Sequence, residues 1–406
     1  MNCPTARDRI APDRLPEVDA LRGLALFGIL VVNITAFASA YYGRGMTDPA
    51  FTGPAGRLVE GLISFVFETK FYLLFSFLFG YSFTLQMRSA ERAGQALVLR
   101  IARRQIGLWL IGLAHAALLF HGDILTTYAV LGCFLLMLRH WSDQSALRLA
   151  AGLVVVTATV WAGLGGLQLL AGEVVDPLAV HAEAAAALAA YGGTPGTVIG
   201  GHLQELSGMW ILLALVQAPT ALAMFLCGLV AGRRRLFERD EEARPLYRRL
   251  LRLALLIGLP GSAIYTYTSM QQPGTGWEVL GLAVSILTGP FLAGGYVAGA
   301  MLLFNIATGA CLVVVLAPAG RMALSNYLGQ SLACSLIFTA YGFGLVGQIA
   351  PLGVMGIAIG LYLCQLAVSA WWLRRHAYGP LEWLLRALTI AAWPRWRTAA
   401  AEGAAQ

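Results

Sequence analysis

The stretch ALRGLALFGILVVNITAFAS, residues 20–39, decides the fold class. It holds one charged side chain, Arg22, and one amide, Asn33, and it is long enough to cross the roughly 30 Å hydrocarbon core of a bilayer as a helix. In the whole chain of 406 residues, 58% are hydrophobic and 12% are charged, whereas soluble domains are about 25% charged. This composition excludes a water-soluble protein and predicts an all-α, polytopic helix bundle in a membrane.

Nine further apolar runs bring the predicted number of transmembrane helices to ten. The runs are 20–39, 61–87, 106–120, 124–138, 149–171, 209–231, 253–269, 278–304, 322–345 and 352–373. A shorter apolar stretch, 306–317, is predicted to be re-entrant or interfacial. The first run has a second interpretation, because the residues around it also resemble a cleavable signal peptide; its length and Asn33 favour an uncleaved helix.

The arginines predict the orientation of this bundle. If the ten helices alternate in direction, 25 of the 28 basic residues fall on one side, Arg44 and Arg57 fall on the other, and Lys70 lies within a helix. Lys and Arg accumulate in cytoplasmic loops, so both termini are predicted to be cytoplasmic. The formal net charge of +7 is dispersed over short loops, which argues against a nucleic-acid partner.

Three regions follow from these boundaries. Residues 1–19 are a cytoplasmic segment, 20–373 are the helix bundle with an outer loop at 172–208, and 374–406 are a cytoplasmic tail. The tail is predicted to form an amphipathic helix on the membrane surface, because Gly379-Pro-Leu-Glu-Trp383 places a proline and an acidic residue at a helix start.

The candidate acid–base residues are His115, His121 and Asp123. The two apolar arms around the turn at 121–123 are shorter than the hydrocarbon core, so either the flanking arginines snorkel to the membrane surface or the turn is recessed. A recessed turn would lie in a water-filled pocket, because lipid could not solvate it. A histidine oriented by a carboxylate can accept a proton from an attacking hydroxyl or amine near neutral pH. The alternative is a buried histidine that hydrogen-bonds between helices.

A second set of polar residues is predicted at the cytoplasmic side. Arg22, Arg104, Arg321, Asn326 and Gln330 are candidates for a basic, amide-lined vestibule that binds a phosphate-bearing ligand. Hydrogen bonding between helices is the alternative for the two amides.

A third set, Asn33, Glu68 and Lys70, is predicted to line a substrate pocket, because ionisable and amide groups within a membrane face the bundle interior or a cavity. We expect the polar side chains of the first, third, fourth and ninth predicted helices to converge on one water-filled chamber that opens to the cytoplasm. No metal ligand set is predicted, since His202 and Glu205 form a pair without a third ligand.

Five segments carry a family resemblance. They are Arg14-Leu-Pro-Glu-Val-Asp-Ala-Leu-Arg-Gly23; Lys70-Phe with Leu74-Phe-Ser-Phe-Leu-Phe-Gly80; His115 with Gly122-Asp-Ile-Leu125 and Tyr128-Ala129; Gly320-Arg-Met-Ala-Leu-Ser-Asn-Tyr327; and Gly379-Pro-Leu-Glu-Trp383. In this order they resemble the YeiB-like family of bacterial membrane proteins, a domain of unknown function, over nearly the whole chain. Ser325 departs from the threonine more common in the family.

The first-helix pattern is also similar to that of heparan-α-glucosaminide N-acetyltransferase and related transmembrane acyltransferases. The resemblance implies transfer of an acyl group from cytoplasmic acyl-CoA to a small or glycan acceptor across the membrane. The catalytic histidine of that enzyme follows its first helix. Residues 40–60 contain no histidine here, so the resemblance requires a different histidine.

The leading hypothesis is therefore an acyl-CoA-dependent transmembrane acyltransferase without a metal, and its partners are the lipid bilayer, the thioester and the acceptor. One alternative is a transporter or permease for a small solute, in which the same polar residues line a pathway. Another is a non-catalytic membrane partner of an enzyme.

Overall fold

The structure, a computed structural model, describes residues 15–94 and 96–397. In this part of the chain the only β-structure is two isolated bridges, and the all-α prediction is confirmed. The predicted segment 1–19 lies largely outside the described residues, as does the end of the predicted tail. The sixteen α-helices are α1 Pro16–Ala38, α2 Pro54–Val66, α3 Phe71–Arg92, α4 Leu97–Leu118, α5 Leu125–Met137, α6 Asp143–Ala171, α7 Pro177–Gly192, α8 Pro195–Leu212, α9 Ala218–Arg233, α10 Asp240–Leu253, α11 Leu259–Gln271, α12 Gly276–Phe304, α13 Ala307–Arg321, α14 Ala323–Phe338, α15 Pro351–Trp372 and α16 Pro380–Ile390.

Seven helical stretches in the described residues are long and apolar enough to cross a membrane. They are Pro16–Ala38, Pro54–Arg92, Asp143–Ala171, Pro195–Arg233, Asp240–Gln271, Gly276–Phe304 and Pro351–Trp372. The pair α13 and α14, bent by 77°, gives an eighth if it counts as one broken span. The helices α4 and α5 correspond to two of the ten predicted spans but do not qualify by length and hydropathy. The membrane character is thus supported, and the number ten stays a prediction.

The predicted outer loop at 172–208 is largely helical. It contains α7, and α8 continues through a π-helical turn at 213–217 into α9, so that residues 195–233 form one stretch of 39 residues. Thr194 begins α8, since its hydroxyl accepts a hydrogen bond from the Thr197 amide and Pro195 occupies the first turn. The helix begins at Pro195, before the predicted span 209–231. The apolar run in the sequence marks only part of the helix, and a helix can continue beyond an apolar run.

The predicted span 61–87 is broken between α2 and α3. At the break, Thr69 adopts a left-handed backbone with φ of 62°, which is rare for a β-branched residue. Three side chains donate hydrogen bonds to the last carbonyls of α2: Lys70 Nζ to Ser64 (2.7 Å), Ser262 Oγ to Phe65 (2.6 Å) and Tyr296 OH to Val66 (2.8 Å). These bonds satisfy backbone groups that a membrane interior cannot solvate, and they therefore stabilise the break.

The helix α1 lies in the core and is packed closely against α13. A Cβ atom added at Gly320 would lie 1.8 Å from the Asp19 carbonyl oxygen, and one at Gly23 would lie 2.4 Å from that of Leu316. Only glycine permits this approach of the two backbones. The contact brings Arg22 and Arg321, the neighbours of these glycines, to the same end of the molecule, which we call the arginine-rich end.

The helix α16 is also attached at the arginine-rich end. It begins at Pro380, where the sequence predicts, and packs against α4 and α14. One oxygen of Glu382 accepts hydrogen bonds from the amides of Leu324 (2.6 Å) and Ser325 (3.0 Å), and the other accepts one from Ser325 Oγ (2.5 Å). Glu382 thereby caps the N-terminus of α14, although burial raises the pKa of its carboxyl group.

Candidate functional site

A buried polar group joins α4, the turn at 119–124 and α14. His115 Nδ1 lies 2.8 Å from an oxygen of Asp123, and its Nε2 lies 2.9 Å from Ser331 Oγ. The other Asp123 oxygen accepts a hydrogen bond of 2.7 Å from the Thr126 amide. All three side chains are buried. We call His115, Asp123 and Ser331 the histidine cluster.

Local backbone geometry positions the histidine cluster. The His115 carbonyl accepts hydrogen bonds from the amides of Leu119 and Phe120, and α4 ends there. The chain then turns through Gly122, which places Asp123 just before α5. Because the Thr126 amide holds the carboxylate, Asp123 can keep the imidazole with Nδ1 protonated and Nε2 directed at the Ser331 hydroxyl. A serine hydroxyl, an imidazole and a carboxylate in this order can activate the serine oxygen as a nucleophile.

Aromatic rings close the histidine cluster. The rings of Tyr327 and Phe120 lie 5.0 Å and 6.3 Å from that of His115, and Phe37 of α1 stacks on Phe120 at 4.5 Å. His115, Phe120 and Asp123 are at most 4% exposed. Side chains fill the surroundings of Phe120 and Asp123, so the turn is not the open, water-filled pocket that we expected.

The third predicted acid–base residue, His121, belongs to a different group. Its Nδ1 lies 3.3 Å from the Tyr191 hydroxyl, and its ring lies 6.0 Å from that of His202. Burial, and then the positive charge of Arg44, lower the pKa of His121 to about 4. His121 is therefore neutral at pH 7 and a weak base there, and it contacts α7 and α8 instead of Ser331.

A cavity of about 220 Å³ opens at the arginine-rich end, and we call it the arginine cavity. Asp19, Arg22, Arg321 and Tyr378 are among its lining residues. Arg22 forms an ion pair with Asp19 and donates a hydrogen bond of 2.8 Å to Ser82 Oγ. Two of the five residues predicted to form a phosphate vestibule, Arg22 and Arg321, therefore share one cavity.

The other three predicted vestibule residues do not line the arginine cavity. Asn326 donates to Ser369 Oγ (2.9 Å) and the Ala319 carbonyl (3.0 Å), and Gln330 donates to Gln365 Oε1 at 2.8 Å. Both amides thus bond neighbouring helices, the alternative that the sequence left open. Arg104 is half-buried on α4, within electrostatic reach of Arg22.

A larger cavity of about 540 Å³ lies at the opposite end, and we call it the acidic cavity. Four carboxylates line it, those of Asp48, Glu60, Glu68 and Glu278. Glu68 accepts hydrogen bonds from the hydroxyls of Tyr42 (2.9 Å) and Tyr265 (3.2 Å).

The two other residues predicted to line a substrate pocket with Glu68 are placed elsewhere. Lys70 is 1% exposed and bonds the backbone at the helix break, and Asn33 is half-buried on α1; neither lines the acidic cavity. The predicted polar residues are therefore distributed over separate sites, and the expectation of one shared chamber is wrong.

Sequence reasoning missed Ser331 as a member of the histidine cluster and missed three of the four carboxylates in the acidic cavity. Ser331 follows Gln330 directly, and on a helix this single step turns the side chain by about 100°, from α15 toward α4. Asp48, Glu60 and Glu278 lie at or beyond the ends of the apolar runs, where a charge carries no signal. Among the described residues, no three His, Cys, Asp or Glu side chains are grouped to hold a metal ion.

Comparison with known proteins identifies relatives over the full length of the chain. A family described as "Protein of unknown function (DUF418)" matches residues 231–392. "Uncharacterized protein YxaH" of Bacillus subtilis (strain 168) is 31% identical over 94% of this chain and 95% of its own length. "Uncharacterized protein YeiB" of Escherichia coli (strain K12) is 29% identical over 94% of this chain and 97% of its own. The chain therefore belongs to the YeiB-like family of bacterial membrane proteins of unknown function.

Proposed function

We propose that this bacterial membrane protein is a transmembrane acyltransferase that takes an acyl group from cytoplasmic acyl-CoA and transfers it to an extracytoplasmic acceptor. The observation that carries the proposal is the histidine cluster, in which a buried carboxylate, an imidazole and a hydroxyl are hydrogen-bonded in series. This arrangement directs Nε2 at a hydroxyl oxygen that can react as a nucleophile.

In the proposed reaction, Ser331 Oγ attacks the thioester carbonyl while His115 Nε2 accepts the hydroxyl proton. The carbon–sulfur bond breaks, the thiolate of CoA leaves with that proton, and an ester is left on Ser331. An acceptor hydroxyl or amine then attacks the ester, its proton passes through His115 to Ser331 Oγ, and the acylated acceptor departs. Asp123 stabilises the imidazolium that forms in each half of the reaction.

The arginine cavity is the proposed entrance for the donor. Arg22 and Arg321 offer positive charge for the phosphates of CoA, and Arg104 lies within electrostatic reach of Arg22. By helical rise, Ser331 lies about 12 Å along α14 from its first residue. A thioester bound at the mouth would run along α14, and because the histidine cluster is closed, the reaction requires the packing around Tyr327 to open.

The proposal includes an orientation with ten membrane-crossing segments and both termini in the cytoplasm of a bacterium. It is supported by the arginine count and by the presence of Arg22 and Arg321 at one end. Alkaline phosphatase joined after residue 397 should be inactive, and the same enzyme inserted at Glu173 should be active. The reverse result would exclude this orientation.

The reaction is tested with purified full-length protein by following the release of CoA thiol from acetyl-CoA and from longer thioesters. Ser331→Ala and His115→Ala should each lower the rate at least 100-fold, since each removes a reacting group. His140→Ala is the matched control, because His140 is exposed and lies outside the cluster. Equal rates in all three variants, with unchanged thermal midpoints, would exclude the histidine cluster as the reaction site.

Transport of a small solute is the second candidate. It is favoured by two interrupted helices, α2–α3 and α13–α14, and by a cavity at each end of the bundle. In proteoliposomes, a transporter would move solute without a covalent product, and Ser331→Ala would not abolish the flux. Absence of a thermal shift with any CoA thioester, together with such flux, would favour transport over acyl transfer.

A further inference from the structure

The acidic cavity has the size and composition of a ligand site. Its volume of about 540 Å³ falls in the range of small-molecule pockets, about 300–1,000 Å³. Apolar side chains contribute much of its wall, among them Ile63, Met270 and Val354. A ligand that fills it therefore has an apolar body as well as polar groups.

The charges of the acidic cavity are unequal. Among the described residues, the lining holds four carboxylates and one basic side chain, that of Arg57, which is exposed. Lys70 does not line the cavity, but its ammonium lies 5.3 Å from the centroid of the Tyr265 ring and within electrostatic reach of Glu68, so it offsets part of the negative charge. Glu68 lies within electrostatic reach of both Glu60 and Glu278. Carboxylates this close disfavour one another in a low-dielectric site, and a bound cation would remove that repulsion.

Aromatic rings stand beside these carboxylates. Glu68 accepts hydrogen bonds from the hydroxyls of Tyr42 and Tyr265, and these bonds fix the positions of both phenol groups. Tyr41 and Phe51 also line the cavity. Rings around an anionic centre recognise alkylated ammonium groups, because the ring faces attract the charge without requiring hydrogen-bond donors from the ligand.

The acidic cavity and the histidine cluster lie on different sides of α1. Thr35 and Ala38 line the cavity, whereas Phe37 packs on Phe120 next to His115. Occupancy of the cavity therefore does not require a functional histidine cluster.

We propose that the acidic cavity binds a small organic cation, an alkylated ammonium group on an apolar body, through Glu68, Glu60 and the rings of Tyr42 and Tyr265. Glu68 supplies the central negative charge, and the apolar wall accepts the rest of the molecule.

The test is calorimetric titration of the purified full-length protein with benzyltrimethylammonium and with choline, alongside 3,3-dimethylbutan-1-ol, the uncharged analogue of choline. We expect saturable binding of at least one cation, with an affinity at least tenfold above that of the uncharged alcohol. Glu68→Gln keeps an acceptor for both tyrosine hydroxyls and should weaken the cation at least tenfold. His115→Ala should leave its affinity unchanged.

Two further variants test the proposal even if Glu68→Gln fails to fold. Glu60→Gln removes a charge from a side chain that makes no hydrogen bond among the described residues, and should also weaken binding. Glu173→Gln is the matched control, an exposed carboxylate that does not line the cavity. The proposal is overturned if neither cation binds, if the alcohol binds equally well, if calcium chloride binds while neither organic cation does, or if Glu60→Gln and Glu173→Gln have the same effect.

Discussion

The histidine cluster and the acidic cavity contain similar side chains in opposite surroundings. In the cluster, Asp123 is closed off from water and each of its oxygens has a partner fixed by the fold. In the cavity, the carboxylates face a void, although three of them also accept hydrogen bonds: Glu68 from Tyr42 and Tyr265, Asp48 from Ser39 Oγ, and Glu278 from the Gly274 amide. The difference teaches that a closed cluster with complete partners contributes to stability and must open before it can react, whereas carboxylates that face a cavity are already available to a ligand.

The largest expected effect is a difference in stability between a variant of the histidine cluster and a variant of the acidic cavity. Asp123→Ala leaves the Nδ1 of His115 and the Thr126 amide buried without an acceptor, which should cost about 3 kcal/mol. Glu68→Ala should cost about 1 kcal/mol or less, because water in the cavity can accept from the tyrosine hydroxyls. Thermal midpoints of the two variants in the same detergent measure the difference. Equal losses would contradict the distinction drawn between a closed and an open site.

A smaller effect is expected from Glu382, which lies at the arginine-rich end. As in Asp123, both of its carboxylate oxygens accept hydrogen bonds. Because burial raises the pKa of Glu382 above its usual value, the native state binds the proton more tightly than the unfolded chain. The favourable contribution of this protonation is present at low pH and is lost as the pH rises from the usual glutamate value through the raised one.

The thermal midpoint should therefore increase as the pH falls toward the usual glutamate value, and the slope should be flatter in Glu382→Gln, which cannot titrate. Parallel pH profiles of the wild type and Glu382→Gln would contradict this expectation. Glu382→Ala removes the cap of α14 at every pH and should cost about 1 kcal/mol.

The smallest effect is expected from Tyr42→Phe in the acidic cavity. This change removes one hydrogen bond to Glu68 but keeps the ring, so stability should fall by about 0.5 kcal/mol. If the ring face binds a cation, the affinity for benzyltrimethylammonium should change less than threefold, whereas Tyr42→Ala should lower it at least fivefold. The same calorimetric titration checks both variants, and a larger loss in Tyr42→Phe would assign recognition to the hydroxyl instead.

Local patterns predicted two residues of the histidine cluster and one element of the arginine-rich end. The turn at 121–123 singled out His115 and Asp123, which lie eight residues apart, and the segment from Gly379 predicted the start of α16. These features depend on residues close in sequence. Ser331 could not be assigned in the same way, since it lies 216 residues from His115 and contacts it only because α14 packs against α4.

The break between α2 and α3 also escaped prediction. Residues 61–87 were predicted to form one helix in spite of the polar residues Glu68-Thr-Lys70, because the flanking sequence is apolar on both sides. Two partners that stabilise the break, Ser262 and Tyr296, come from α11 and α12. An interrupted helix can persist in a membrane only when distant side chains satisfy its free carbonyls, and the sequence does not reveal which side chains will be near.

The sequence by itself determined that the chain is an all-helical membrane protein, because apolar runs of this length are stable as helices in a lipid bilayer and not in water. It also indicated which polar residues face inward, since lipid cannot solvate them. Only the tertiary structure decided which of those residues meet: the rotation and packing of each helix joined His115 to Ser331, directed Asn326 and Gln330 toward α15, and left Glu68 facing a cavity. Hydrogen-bond partners of a side chain within a membrane come from neighbouring helices, and that neighbourhood is a property of the packed bundle.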